Sequence, residues 1–269
     1  MDLEHHSRQS FLGREMLRAC EVTVVGVVGL GGGGSHIVQQ MAHVGFQNFT
    51  VFDPDSVEFS NLNRLVGATE RDAFWGVPKI KVAGRSIRRV QGRATFRGIH
   101  GRWQSDLPAF LECDIVFGCV DSLAERDQLE RVARAHLIPY IDVGMTVTTI
   151  APNPPRMAGQ LFVSMPGGPC MRCMGMLRPD FLAREGELYG DAGPDPQVVW
   201  ANGVLASAAV GIALGVLTGW HGRESETPYY SYDGNEGILV PHVSWTNQTL
   251  SECPHFPADQ VGPPRFRAL

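Results

Sequence analysis

The stretch EVTVVGVVGLGGGGSHIVQQMAHVGFQNFTVFDPD, residues 21–55, constrains the fold of this chain more than any other. An apolar run gives way to a glycine-rich turn, then to a helical stretch, then to a second apolar run that ends in acids. That order calls for a strand, a tight turn, a helix packed back on the strand and a second, parallel strand. Gly29, Gly31, Gly32, Gly33 and Gly34 let the backbone turn sharply and come close to an anion, which then meets the free N–H groups of the helix starting near Ser35. Asp53 stands where an acid ending the second strand reaches ribose hydroxyls. The unit reads as a nucleotide cradle. Its spacing Gly29-x-Gly31-x-x-Gly34 fits a dinucleotide fingerprint but lies inside the denser Gly29-x-Gly31-Gly32-x-Gly34-Ser35, so the loop alone leaves the class of nucleotide open.

The rest of the chain repeats the alternation. Residues 76–91 read as a helix, CDIVFGCVD (113–121) as a buried strand ending at an acid, SLAERDQLERVARAHL as a helix and IPYIDVG as another strand. Alternating strands and helices predict an α/β, Rossmann-like, mostly parallel sheet with helices on both faces and its ligand at the strand C-termini. From about residue 145 the pattern shifts to short β-rich pieces, GQLFVSM and YYSYDGNEGILVPHVSW, which continue the sheet with antiparallel strands. Residues 174–197 are polar and rich in Gly, Pro and Asp, and read as a crossing loop. A length of 269 residues with 43% hydrophobic content suits one domain over 1–269, with a nucleotide-binding half (1–150) and a β-rich half (151–269).

Charge and composition narrow the partners. A net charge of −5 provides no general basic field for nucleic acid or a membrane surface. The polar start MDLEHHSRQS lacks the basic-then-apolar order of a signal peptide, which places the protein in the cytoplasm. Residues 198–220 are apolar enough to span a bilayer, but Asn202, the internal glycines and the lack of a flanking basic cluster point to a buried helix. Cys20, Cys113 and Cys119 fall beside or within buried strands and read as core residues, whereas Cys170-x-x-Cys173 reads as metal or redox in a cytosolic chain.

The string Asp53-Pro-Asp55-Ser-Val-Glu58-Phe-Ser60-Asn61-Leu62-Asn63-Arg64 follows the second strand directly. With the glycine loop, it makes the chain resemble the ThiF/MoeB/HesA family, bacterial relatives of ubiquitin-activating enzymes, over roughly residues 5–255. The resemblance implies adenylation, with ATP and Mg2+, of the C-terminal glycine of a small ubiquitin-like or sulfur-carrier protein with a Gly-Gly-type ending. It assigns ribose binding to Asp53, phosphate contacts to Asn61 and Arg64, a further cation to Lys79 in Gly76-Val-Pro-Lys79, and the magnesium side to Asp121 in Cys119-Val-Asp121. It also implies a homodimer in which Arg8 of Ser7-Arg8-Gln9 enters the neighbour's site, and a downstream sulfurtransferase or conjugating enzyme. These residue types suit the chemistry. A carboxylate attacking a phosphate brings two anions together, so cations must neutralise the developing charge, and no general base is needed for an acid already ionised at pH 7.

Three further readings come from the same comparison. The turn Gly-Gly-Pro-Cys170-Met-Arg-Cys173 is of the kind that holds Zn2+ in that family, but the usual second C-x-x-C is reduced to Cys253 with His255, leaving either a site of three cysteines and a histidine or an incomplete one. Residues 174–252 contain no cysteine, so the acyl-adenylate is expected to pass to another molecule with no thioester on this chain. Asp142 ends a strand on the ligand side, where it contacts Mg2+ or the substrate tail, or serves the structure. The rival readings are adenylation of a peptide or tRNA carboxylate, a catalytically silent binding scaffold, and an NAD oxidoreductase.

Overall fold

The computed structural model describes residues 7–149, 152–180, 196–220, 222, 227–247 and 253–256. Five strands, β1 (Val24–Val28), β2 (Asn48–Phe52), β3 (Thr95–Ile99), β4 (Ile115–Gly118) and β5 (Tyr140–Thr148), pair in parallel in the order β3-β2-β1-β4-β5. Three more, β6 (Arg156–Ser164), β7 (Tyr229–Asp233) and β8 (Ile238–Pro241), extend the same sheet antiparallel. The strand order reverses between β1 and β4, the point at which an open α/β sheet opens a crevice above its strand C-termini.

Side-chain alternation in the strands builds a core on each face. Val25, Val27, Phe49, Val51, Ile115 and Phe117 point to one side, against α1 (Gly13–Val22), α2 (Gly32–Val44), α4 (Lys79–Val90) and α7 (Val199–Thr218). Val28, Phe52, Val116 and Tyr140 point to the other, against α5 (Leu107–Leu111), α6 (Leu123–Ala135) and the turn holding Met171 and Met174. Among the described residues α7 is the one helix long and apolar enough to cross a membrane by composition, and its inner side packs on α2, β5 and β6. A small separate core of Val57, Leu65, Ala73 and Val82 carries the D-x-D…S-N-L-N-R segment and α3 (Glu70–Phe74).

The elements expected from the sequence are present, with shifted ends. The N-terminal helix is preceded by a 3-10 turn over Ser7–Leu12, and β5 runs on to Thr148. Strand β3 was not expected; TFRGI is an edge strand, half-exposed and carrying Arg97 and Gly98, so the apolar signal of a buried strand is missing. Of the expected crossing loop, residues 181–195 lie outside those described.

Asp72 anchors the segment before α4. Its carboxylate accepts the Thr69 N–H and hydroxyl and a bidentate pair of bonds from Arg85 at 2.9 and 2.6 Å. The hydrogen bonds from Arg85 hold its pKa down to about 2. A carboxyl with a depressed folded pKa contributes stability above its unfolded value of 3.8, and that contribution is lost as pH falls towards 2. Asp72→Asn should therefore cost about 1 kcal/mol near neutral pH, after allowance for the part-exposed Arg85. Thermal melts of both proteins from pH 7 downward should converge as the pH approaches 2, and a gap that persists there would reject the assignment.

Candidate functional site

A cleft of about 490 Å3 opens over the C-terminal ends of β1, β2, β4 and β5. Its floor is the glycine loop. Gly29 has φ +86°, and a Cβ there would run into the Cys119 carbonyl. A Cβ on Gly34 would meet the Gly29 carbonyl, and one on Gly32 the Asn202 side chain. These three glycines are demanded by packing. Gly31 differs: a Cβ there meets nothing within 4 Å, so the space above it is left to whatever the cleft binds. No side chain among the described residues caps the N-terminus of α2, whose first-turn N–H groups and positive end face the cleft.

Asp53 fixes this loop. One carboxylate oxygen accepts the Leu30 N–H at 2.6 Å and the other the Asp55 N–H at 2.8 Å, and burial pushes its pKa up. Although it lines the cleft, it is only 3% exposed. Of the D-x-D pair, Asp55 is the acid presented to solvent, with its side chain 61% exposed, and it bonds Lys79 Nζ at 2.7 Å. The ribose role that the sequence places on Asp53 thus meets an acid already engaged by the backbone, with Asp55 standing beside it.

Asn61, Arg64 and Lys79 converge on the same cleft. Asn61 accepts the Glu58 N–H at 3.2 Å, which closes a single 3-10 turn and aims the segment inward. Arg64 is held by the Ser60 carbonyl and Asn63 Oδ1 at 2.8 and 2.9 Å and has no ion-pair partner among the described residues. The Ser35 hydroxyl, which accepts the Val66 N–H at 3.1 Å, ties this segment to the first turn of α2. Lys79 is the first residue of α4, and its N–H donates to the Asp55 carbonyl at 3.0 Å.

Across the cleft Asp121 is exposed and accepts a 3.2 Å bond from Gln197. Gln197 in turn accepts the Asn63 side-chain amide, so it straps the two walls at the entry to α7. Gln197 and Asn202 were not legible as site residues, although a lone amide in an apolar helix was the signal for Asn202. Asp142 is fully buried in an ion pair with Arg126 at 2.9 Å and accepts the Tyr140 hydroxyl at 2.8 Å, which makes it structural. Cys119, expected in the core, is half-buried and lines the cleft, with its thiol pKa pushed up by burial. Cys20 and Cys113 are buried as expected, and burial pushes Cys20 up to about 12. Arg8 is exposed on the N-terminal turn and does not line its own chain's cleft.

Away from the cleft, Cys170, Cys173, Cys253 and His255 come together, their ligand atoms all within 4.8 Å of one another. Cys170 Sγ lies 3.6 Å from Cys173 Sγ, Cys173 Sγ 3.5 Å from Cys253 Sγ, and His255 Nδ1 3.4 Å from both Cys170 and Cys173. Helix α6 supports the turn: Glu130 accepts the Met171 N–H at 2.9 Å, and Arg134 bonds the Met165, Gly168 and Pro169 carbonyls.

The sequence profile of the ThiF family matches residues 5–254. The molybdopterin-synthase adenylyltransferase of Escherichia coli (strain K12) is 32% identical over 171 residues, which are 62% of this chain and 63% of that protein. The adenylyltransferase and sulfurtransferase UBA4 of Yarrowia lipolytica is 30% identical over 206 residues, 76% of this chain and 48% of that one. The matched stretch thus spans less than two thirds of either relative. Among solved structures, E. coli MccB with AMPCPP and MccA superposes with a TM-score of 0.73 at 18% identity, covering 89% of this chain and 71% of that chain, a likeness of fold.

The glycine loop yields a paired expectation. Gly31→Ala should fold with an unchanged melting temperature but lose about tenfold in nucleotide affinity, because the methyl occupies the free space. Gly34→Ala should cost about 1–3 kcal/mol of stability through its clash with the Gly29 carbonyl. Thermal melts and a fluorescent-nucleotide titration separate the two, and equal destabilisation by both would contradict the division.

Proposed function

The chain belongs to the ThiF family, and from its cleft we propose an ATP-dependent adenylyltransferase that activates the C-terminal glycine carboxylate of a small ubiquitin-like or sulfur-carrier protein. The carrying observation is the convergence of Asn61, Arg64, Lys79 and Asp121 on the uncapped N-terminus of α2 in one cleft. A relative named for adenylating molybdopterin synthase and another named adenylyltransferase and sulfurtransferase support the reading.

In this reading the phosphates rest on the first-turn N–H groups of α2, with Arg64 and Lys79 over them and Asn61 donating its amide. Asp55, released from Lys79, takes the ribose hydroxyls, while Asp53 keeps the loop in place. Asp121 would hold Mg2+, which supplies positive charge to the leaving phosphates. The incoming carboxylate approaches over β5, past Gly144 and Met145, and its oxygen attacks the α-phosphorus. The new bond is carboxyl oxygen to α-phosphorus; the bond broken joins that phosphorus to the oxygen bridging to the β-phosphate, and pyrophosphate leaves with the electron pair. The carboxylate arrives ionised, so the chain needs to place charge and exclude motion rather than remove a proton. Cys119 is the one cleft thiol among the described residues, and a thiol raised by burial is a poor nucleophile, which fits transfer to another molecule with no thioester on this chain.

Arg8 completes the site only from a second copy. The outer side of α7 presents Trp200, Val204, Ser207 and Gly211 without a charged residue in its 20 positions, and Phe11 stacks edge-on against Trp220 beyond its end. This apolar face beside the Arg8 turn suits a homodimer.

The Cys170, Cys173, Cys253 and His255 cluster is assigned to structural Zn2+. Tetrahedral zinc with Zn–S of about 2.3 Å and Zn–N of about 2.0–2.1 Å requires ligand-to-ligand edges of about 3.5–3.8 Å, close to the 3.4–3.6 Å of four of the six edges, with all ligand atoms within 4.8 Å of one another. Metal analysis should return one zinc per chain. Cys253→Ser should lose it and melt roughly 5–10 °C lower; a metal-free wild type that melts as the variant does would remove the assignment.

Exchange of labelled pyrophosphate into ATP, dependent on a Gly-Gly-ending carrier protein, tests the function. Arg64→Ala should reduce exchange at least about 100-fold with folding intact. Exchange driven only by a free peptide would move the substrate class, and no exchange with any carrier would reject the reading.

A further inference from the structure

Charge is unevenly spread along this chain. Residues 71–102 hold nine of its 23 Lys and Arg and one of its 28 Asp and Glu, so a strongly basic segment sits in an otherwise acidic protein. That one acid, Asp72, is paired with Arg85, and Lys79 is paired with Asp55. The fold gathers the other cations of the segment at one edge of the sheet. Helix α4 carries no acid, and Ile80, Val82, Ala83 and Ile87 bury its inner face. Lys81, Arg85, Arg88 and Arg89 follow the spacing i, i+4, i+7 and i+8, which makes one outward stripe. Lys81, Arg88 and Arg89 are exposed, as is Arg93 in the turn before β3, and none of these four has an ion pair among the described residues.

The stripe runs along an open strand edge. β3 is the outermost strand on this side, and α4 lies antiparallel beside it. Ile80 stands where a Cβ on Gly98 would point, near the end of β3, and the Arg88 guanidinium lies 5.3 Å from the Phe96 ring, near its start. The Thr95 N–H donates inward to the Gln47 carbonyl at 2.7 Å, and the Ile99 carbonyl accepts the Asp53 N–H at 3.2 Å. Alternate residues of a strand share that direction, so the peptide groups of Phe96 and Gly98 face outward, with no strand beyond them among the described residues. Arg97, the strand's own charge, points to the other face of the sheet, where Asp106 and Glu112 hold it at 2.8 and 3.2 Å. A row of open backbone donors and acceptors thus lies beside a row of unpaired cations.

We propose that this edge docks an extended, acidic segment of a partner protein, which adds to β3 as a further strand and lays its carboxylates along the α4 stripe. Side chains two residues apart on a strand stand about 6.6 Å apart on one face, and successive turns of a helix are about 5.4 Å apart, so alternate acids of the incoming strand each find a cation. Uniform sign makes the edge selective. Two copies of this face repel one another, which guards the edge against self-pairing and leaves it open to an acidic strand. A long polynucleotide is less suited, because beyond the patch it meets a protein whose net charge is −5. The docking face lies four strands from β5, so it leaves the proposed carboxylate entry clear, and it stands whether or not the cleft binds ATP.

Fluorescence anisotropy of a short labelled peptide alternating Glu and Val, titrated with the full chain, tests the proposal. This peptide should bind, and one alternating Lys and Val should not. Arg88→Glu combined with Arg89→Glu should weaken binding at least about tenfold at an unchanged melting temperature. Arg156→Glu, on β6 and away from the patch, should leave it unchanged. Strand addition has its own readout. N-methylation of every Glu, or of every Val, keeps all the charges and removes the donors along one edge of the peptide; one methylated form should bind about tenfold less and the other as the parent does. No binding of the acidic peptide, binding that the double reversal leaves unmoved, or two methylated forms that bind alike would overturn the proposal. Tighter binding of a short single-stranded RNA than of the peptide would overturn the protein partner.

Discussion

The site depends on one carboxylate whose two oxygens both hold the backbone around the cleft. Asp53 ends β2 and spends both oxygens on backbone N–H groups, one of them Leu30 in the middle of the glycine loop. That bond pulls the loop across the sheet at the strand reversal. Gly34 can then lie against the Gly29 carbonyl, and the first turn of α2 is left open to the cleft. A buried carboxylate is costly without partners, and here its cost is offset by two donors that must otherwise find water. Loop, acid and helix terminus stabilise one another.

Around this fixed floor the working groups are held by weaker, local devices. A single 3-10 turn aims Asn61, a pair of short bonds parks Arg64, and an ion pair to Asp55 holds Lys79 at the head of α4. These contacts are exposed or half-exposed, and exposed ion pairs contribute little to stability. They can open when an anion arrives. Rigidity sits below the ligand and adaptability beside it, which suits a site that gains most of its rate from placing charge. Helix α6 joins the two special regions of the molecule, since its first turn follows Asp121 and its last turns carry Glu130 and Arg134 under the metal-binding turn.

Much of this was readable in the sequence, for identifiable reasons. The opening βαβ unit announces itself because strand, glycine turn and helix are contiguous, and the Asp53 to Arg64 string is too long to arise often by chance. The family resemblance, whose second Cys-x-x-Cys is reduced here to Cys253 with His255, set these two beside Cys170 and Cys173 or left the site incomplete, and the fold brings all four together. Other features depend on geometry that spacing does not encode. Which acid of Asp53 and Asp55 is buried is decided by how the chain leaves β2. Strand β3 lacks an apolar signature because it is an edge. Arg102 and Trp103 come from the segment after β3 and Glu125 from the first turn of α6, with no motif between them, and only the fold brings them together on the cleft.

The central claim is that this cleft directs attack to the α-phosphorus of ATP. Phosphorus NMR of ATP turned over by the chain with a Gly-Gly-ending carrier and an acceptor nucleophile measures which phosphate bond is cleaved. The account predicts AMP and pyrophosphate with no ADP. Formation of ADP and inorganic phosphate would contradict it.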